Sequence, residues 1–246
     1  SAGRVRLLYL SPERLSRPAF RASLQGLGVT LFAVDEAHCI SEWGHEFRPD
    51  YLTLGELRGE FPQVPIAAFT ATATRQVQDD VIRRLKLHSP LTVRTSFDRS
   101  EIYYAVTPKD NVEKQILDFV ARHRGEPGIV YRSSRKAVER TADRLDEAGF
   151  RAVAYHAGFE DEERRRRQDA FVRDEVEVVV ATIAFGMGID KSNVRWIVHG
   201  DLPRSLEAYY QETGRAARDG EPAETVMFYG PKDVSTIRYH IERMEV

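Results

Sequence analysis

Cysteine is almost absent from this sequence: Cys39 is the single one in 246 residues. An internal disulfide is therefore impossible, and so is a cysteine-rich zinc site. A reducing, cytoplasmic setting is the expectation. No stretch approaches the roughly 20 consecutive apolar residues of a membrane helix, so no membrane partner is expected. The opening Ser1-Ala2-Gly3-Arg4-Val5-Arg6 lacks the apolar centre of a secretory signal. Charge of one sign is also missing, since 36 Lys and Arg face 38 Asp and Glu for a net −2. Bulk attraction to nucleic acid is thereby excluded, and any such binding must come from a local groove. Composition alone points to a metabolic enzyme rather than a nucleic-acid motor. Repeats and low-complexity tracts do not occur. The dipeptide Gly-Lys occurs nowhere, so the phosphate loop Gly-x-x-x-x-Gly-Lys-Ser/Thr is absent from these residues.

What is present is a 42 % apolar, 30 % charged chain, enough to bury a sizeable core. Short β-branched runs alternate with segments of helical period, the pattern of α/β layers. Strands are predicted over Val5–Leu10, Thr30–Val34, Ile66–Phe69, Gly128–Tyr131, Ala152–Tyr155, Val176–Ala181, Trp196–His199 and Thr225–Tyr229. Several are apolar without alternation, as in parallel strands covered on both faces. Helices are predicted over Ser134–Ala148 and Asp161–Arg173, the latter with Phe171 and Val172 inward. A polar stretch, Asp98-Arg99-Ser100-Glu101, separates two such runs, and the boundary is placed at residues 1–105 and 106–246. The first run holds only about three strands, so the first lobe is expected to be incomplete at its N-terminal side.

The strand Leu31-Phe32-Ala33-Val34 ends in Asp35-Glu36-Ala37-His38. Ligands of open α/β sheets bind at the carboxyl ends of strands. In nucleotide hydrolysis one carboxylate helps hold Mg²⁺ and another orients the attacking water, a division that suits an adjacent pair. A helix N-cap with an acidic first turn would look the same. The segment that follows brings Trp43, Phe47 and Tyr51 together with Arg48. Aromatic faces stack on unpaired bases and arginine pairs with phosphate, although the rings could also be core anchors.

Val34-Asp35-Glu36-Ala37-His38-Cys39-Ile40-Ser41-Glu42-Trp43-Gly44-His45-Glu46-Phe47-Arg48-Pro49 resembles the DEAH box and aromatic-rich loop of RecQ-family DNA helicases, which belong to helicase superfamily two. The likeness extends through Ser11-Pro12-Glu13-Arg14-Leu15, Phe69-Thr70-Ala71-Thr72-Ala73-Thr74, the Gly128–Arg135 segment, the Val178–Lys191 segment and Tyr209–Gly220. It covers nearly all of the chain. Arg132 departs from it, standing where the family usually has a small residue, and Ala217 stands where the family usually has glycine.

The resemblance implies two RecA-like parallel-sheet lobes of the P-loop NTPase helicase type, the first incomplete. ATP and Mg²⁺ are the implied cofactors, and single-stranded and forked DNA the implied partners. Asp35, Glu36, His38, Gln211, Arg215 and Arg218 are the implied catalytic residues. Arg218, then Arg215, is the candidate arginine finger, and Arg-x-x-Arg spacing would set both on one helix face. Asp35, Gly188, Asp190, Arg215 and Arg218 are implied at the nucleotide, with Asp35 reaching Mg²⁺ through it. Trp43, His45, Phe47, Arg48, Ser11, Arg14, Ser133 and Thr182 are implied at DNA. Closure around ATP would bring Arg218 to the phosphate, and 3′-to-5′ unwinding would follow, in repair or recombination and, in a bacterium, at the nucleoid.

Two other readings stay open. The missing phosphate loop fits a DNA-binding or regulatory fragment without catalysis. A metal hydrolase using Asp35, Glu36 and His38 would act without nucleotide and be stopped by chelators. His38, Cys39 and His45 supply too few partners for a metal site, and Arg164–Arg167 reads as a solvated helix face.

Overall fold

A computed structural model describes residues 5–44, 46–96, 98–182, 185 and 189–235. The chain divides into two compact units, Ser1–Thr95 and Ser96–Val246. The boundary expected near residue 105 lies inside a strand of the second unit, Ile102–Pro108.

The first unit holds two parallel strands, β1 (Phe32–Val34) and β2 (Ile66–Ala68), in register from Phe32 opposite Ile66 to Val34 opposite Ala68. Short helices α1 (Pro12–Leu15), α2 (Pro18–Leu24) and α3 (Leu57–Glu60) and the longer α4 (Arg75–Arg84) surround them. Prolines at the first helical positions of α1 and α2 suit their fixed φ and missing N–H. Thr74 caps α4 by accepting from the Val77 N–H. Leu24, Val34, Ala37, Ile40, Leu54, Leu57, Val77, Val81 and Leu85 form the core. The strand predicted over Val5–Leu10 is not one. That segment is irregular, with Val5, Leu7 and Tyr9 all more than half exposed, and no ladder partner is present among the described residues. Apolar content alone does not make a strand; a hydrogen-bonding neighbour does.

The second unit is a six-stranded, all-parallel sheet. Its strands are β3 (Ile102–Pro108), β4 (Gly128–Tyr131), β5 (Ala152–Tyr155), β6 (Val178–Ala181), β7 (Trp196–His199) and β8 (Ala223–Tyr229). Their order across the sheet is β3-β8-β7-β4-β6-β5. Strands β4, β6 and β7 are buried at every position, as their unbroken apolar runs require. Successive residues face opposite layers. Val130, Val178, Val180, Trp196 and Val198 pack with Ile116, Phe119 and Val120 of α5 (Val112–Arg122) and with Val138, Ala142 and Leu145 of α6 (Arg135–Glu147). Ile129, Tyr131, Val179, Ala181 and Ile197 pack on the other side with Phe171 of α7 (Asp161–Val172), Phe185, Ala216 and Ala217. Phe171 is fully buried as expected, but Val172 is 39 % exposed and points outward. The run Arg164–Arg167 pairs locally with Asp161 and Glu163. Helix α8 (Leu206–Thr213) is capped by Ser205, which accepts from the Ala208 N–H.

Candidate functional site

In the first unit the acidic pair emerges at the carboxyl end of β1. Asp35 Oδ1 accepts from the Glu36 N–H at 2.9 Å, and Tyr51 Oη donates to the Asp35 carbonyl at 3.3 Å. Glu36 sits in the left-handed region at φ +47, a conformation that is strained for a residue with a side chain. It precedes a 3-10 turn, Ala37–Ile40, yet makes no side-chain cap bond. Both carboxylates stay exposed.

That turn is tied to the segment after β2. Ala37 N–H donates to Phe69 O at 2.9 Å, and Phe69 N–H to Val34 O at 2.8 Å. His38, fully buried, lies with Nδ1 2.8 Å from Thr70 Oγ1 and 3.3 Å from Glu36 Oε2. Thr70 in turn donates to Thr72 O at 3.2 Å. The histidine of the box and the Thr-Ala-Thr segment, 32 residues apart, are thus one hydrogen-bonded unit. Burial, reinforced by the Glu46 and Glu36 charges, pushes the neighbouring Cys39 thiol up to about 11.

The aromatic-rich loop begins and ends on the same turn. Ser41 N–H donates to His38 O at 3.0 Å, Gly44 N–H to Ser41 O at 3.0 Å, and Arg48 N–H to Cys39 O at 2.9 Å. A Cβ at Gly44 would stand 2.6 Å from His38 O, so only glycine permits this approach. Trp43 is 68 % exposed, which removes it from the core; Phe47 is half-buried. The indole borders a concavity of about 460 Å³ lined with Gln76, Asp79, Asp80 and Arg83 of α4. Arg48 lies over the Tyr51 ring and pairs with Glu13 of α1, whose Ser11 and Arg14 are the other candidates of this unit. Arg14 rests on the Phe20 ring. His45 lies outside the described residues.

In the second unit Arg215 and Arg218 do not share a helix face. Helix α8 stops at Thr213, and Gly214 to Asp219 form turns in which Ala217 takes φ +54. The left-handed residue ends any helical period before Arg218 is reached. Arg218 Nη1 donates to Ile189 O at 2.8 Å and stands 3.9 Å from the exposed Asp190 carboxylate. Burial lowers its pKa from the ordinary arginine value, and the Arg215 and Arg99 charges add to the effect. Arg99 braces the turn from below by donating to Ala216 O and Ala217 O at 3.3 and 2.9 Å. Gln211 is half-buried on α8. Gly188 lies outside the described residues, and Thr182 follows β6 with its N–H on Tyr155 O at 3.2 Å.

Ser133, exposed, and Arg132, buried, belong to one polar hub. Ser133 donates to Asp201 Oδ2 from its N–H at 2.9 Å and from its hydroxyl at 3.2 Å. Arg132 reaches Asp201 at 2.9 Å, Glu113 at 3.1 Å and Thr141 at 3.0 Å. Lys109 joins Asp201 at 3.2 Å and Asp233 at 2.7 Å. These partners account for an arginine where a small residue is usual: it ties β4, α5, α6 and the loop after β7 together. Room for it comes from Gly200, where a Cβ would meet Arg132 Cδ at 2.7 Å. Asp201 was not among the sequence candidates, although its place just past a buried strand was a signal for it.

Residues 1–80 match the DEAD/DEAH box helicase family model, and residues 110–220 the helicase conserved C-terminal domain. The chain is 52 % identical over 232 residues to the ATP-dependent DNA helicase RecQ of Pasteurella multocida, covering 94 % of this chain and 37 % of that protein. It is 45 % identical over 244 residues to RecQ of Bacillus subtilis, covering 99 % and 41 %.

The chain belongs to the RecQ helicase family.

It spans about two-fifths of the length of these relatives. Among solved structures, the Mycobacterium smegmatis helicase Lhr bound to single-stranded DNA and AMP-PNP aligns with a TM-score of 0.68 and 25 % identity, over 95 % of this chain and 33 % of that one. Saccharomyces cerevisiae Dbp5 bound to RNA and ADP BeF3 aligns at 0.67 with 18 % identity, over 92 % and 61 %, a likeness of fold alone. The expected RecA-like α/β architecture is therefore that of the family. No helix among the described residues is long and apolar enough to cross a membrane.

Proposed function

We propose that this chain is the motor core of an ATP-dependent DNA helicase that moves 3′ to 5′ along single-stranded DNA and opens forked duplexes. The observation that carries the reading is the coupled acidic box. Asp35 and Glu36 are exposed at a parallel strand's carboxyl end, while the adjoining His38 is bonded to Thr70 and shares its turn with the aromatic loop. Asp35 offers hard oxygen donors of the kind that suit Mg²⁺ bound with nucleotide phosphates. The metal would neutralise phosphate charge, with Asp35 holding it. Glu36 orients the attacking water and His38 links the box to the Thr-Ala-Thr segment. Arg218, with Arg215 beside it, stabilises the transferring phosphoryl group, Gln211 supports them, and Gly188 and Asp190 border the nucleotide. Trp43 and Phe47 stack on bases, while His45, Arg48, Ser11, Arg14, Ser133 and Thr182 meet the DNA backbone.

The test is ATP hydrolysis by this chain with and without single-stranded DNA. DNA-stimulated hydrolysis that falls at least a hundredfold in both Glu36→Gln and Arg218→Ala supports the assignment. Hydrolysis surviving Glu36→Gln refutes it. A second reading, a DNA-binding piece without catalysis, is favoured by the absence of any Gly-Lys in the chain. It predicts DNA binding with no hydrolysis at all. Chelator-sensitive hydrolysis that needs no nucleotide would instead support the metal-hydrolase alternative.

A further inference from the structure

The turn bearing the box histidine gathers three groups that no role above uses as a set. Among the described residues, potential ligand atoms of His38, Cys39 and Glu46 all lie within 4.8 Å of one another. The sequence shows the first two but not the third, because only the folded loop carries Glu46 back over them. His38 and Cys39 are buried and Glu46 is exposed. The Glu46 and Glu36 carboxylates both place negative charge beside the thiol.

The hydrogen bonds decide which imidazole nitrogen faces the cluster as a donor of electrons. The Thr70 hydroxyl spends its proton on Thr72 O, so toward His38 Nδ1 it accepts. The second neighbour of Nδ1, Glu36 Oε2 at 3.3 Å, also accepts. In the tautomer that these two oxygens favour, Nδ1 carries the hydrogen and Nε2 turns its lone pair toward Cys39 Sγ, 3.7 Å away. A histidine whose far nitrogen donates to an oxygen is the arrangement that orients metal-binding imidazoles.

We propose that His38 Nε2, Cys39 Sγ and a Glu46 carboxylate oxygen form a binding site for a thiophilic divalent cation of the Zn²⁺ class, with water as fourth ligand. Zinc bonds of about 2.0–2.3 Å set tetrahedral donors about 3.4–3.8 Å apart. The Sγ–Nε2 pair already has this spacing, and the exposed Glu46 side chain closes the remainder, about 1.4 Å at most. On binding, the Cys39 S–H bond breaks, its proton passes to solvent, and the sulfur electron pair forms the metal bond. A thiolate–imidazole–carboxylate set discriminates against Mg²⁺, which prefers oxygen alone. The occupied site fastens the aromatic loop to the box; resting on the function proposed above, that lowers DNA stimulation of ATP hydrolysis. Metal binding itself does not depend on that function.

Cobalt(II) is the probe. Metal-free protein titrated with Co²⁺ is expected to show a thiolate-to-cobalt charge-transfer band and tetrahedral visible bands at one ion per chain. Zn²⁺ should bleach them, and excess Mg²⁺ should leave them in place. Cys39→Ser removes the charge-transfer band, with circular dichroism checking its fold. Glu46→Gln, a change at an exposed position, weakens Co²⁺ at least tenfold, whereas Glu42→Gln on the same loop leaves the affinity unchanged. Absence of the band in the unaltered protein overturns the site, as does a band that survives Cys39→Ser. Equal Co²⁺ affinity in Glu46→Gln overturns the three-ligand set.

Discussion

Replacing Trp43 by alanine separates DNA contact from stability, because the indole is 68 % exposed. An aromatic side chain presents about 200 Å² in all, so about 140 Å² of Trp43 is open to solvent. A stacked base covers roughly half of that. At about 25 cal/mol per Å², the contact is worth about 1.8 kcal/mol, inside the range of about 1–3 kcal/mol for base–aromatic stacking. Trp43→Ala should thus weaken single-stranded DNA binding about 20-fold, and between about 5- and 150-fold over the full range. Fluorescence anisotropy with a labelled mixed-sequence oligonucleotide at fixed salt measures this. The slope of affinity against salt should not change, because the indole neutralises no phosphate. The melting temperature should hold, since little packing is lost. Unchanged affinity in a protein that melts normally would refute stacking by this ring. A lower melting temperature would show that the side chain is packed after all.

Asp201→Asn should destabilise the second unit at neutral pH by roughly 1–3 kcal/mol, because Arg132 and the Ser133 N–H lose a charged partner. The Asp201 pKa is lowered despite burial, chiefly by Arg132. A carboxylate with a depressed folded value stabilises above its unfolded value of about 3.8 and loses that effect as pH falls through the folded one. The gap between variant and parent in denaturant melts should accordingly close below about pH 3.8. Ala217→Gly should change stability by less than about 1 kcal/mol, because relief of about 1–2 kcal/mol from the left-handed backbone is offset by about 0.5–1 kcal/mol of chain entropy and about 0.8 kcal/mol for the lost buried methyl; a loss above about 2 kcal/mol in denaturant melts would contradict the strain. Gly128→Ala sets a Cβ 2.0 Å from the buried Trp196 ring, which must move by about 1.5 Å. Such overpacking costs about 1–3 kcal/mol, or a fall of about 2–4 °C in melting temperature per kcal/mol.

The interior strands of the second unit were readable because each is buried on both faces and carries an unbroken apolar run. Edge strand β3 was not. Its Tyr103, Tyr104 and Val106 are exposed, and its pairing is with β8, more than 100 residues later. The Val5–Leu10 segment shows the reverse error, apolar residues without a neighbouring strand. At the site, Asp35 and Glu36 could be placed at a strand end from sequence, since pattern alone determines that position. The Arg215–Arg218 geometry could not. One left-handed residue, Ala217, cancels the spacing rule; the family's usual glycine at this position was the hint of it, but alanine itself carries none. Contacts such as His38 with Thr70, Arg48 with Glu13 and Cys39 with Glu46 join separate segments or depend on loop closure. Periodicity carries no record of them.

The aromatic loop leaves and rejoins one short turn, with the carbonyls of His38 and Cys39 as its two footings. If Trp43 stacks on a base as proposed, a pull on that ring acts on a segment whose two ends are both bonded to the turn that carries the imidazole. A side chain at Gly44 would meet the His38 carbonyl and shift that seating.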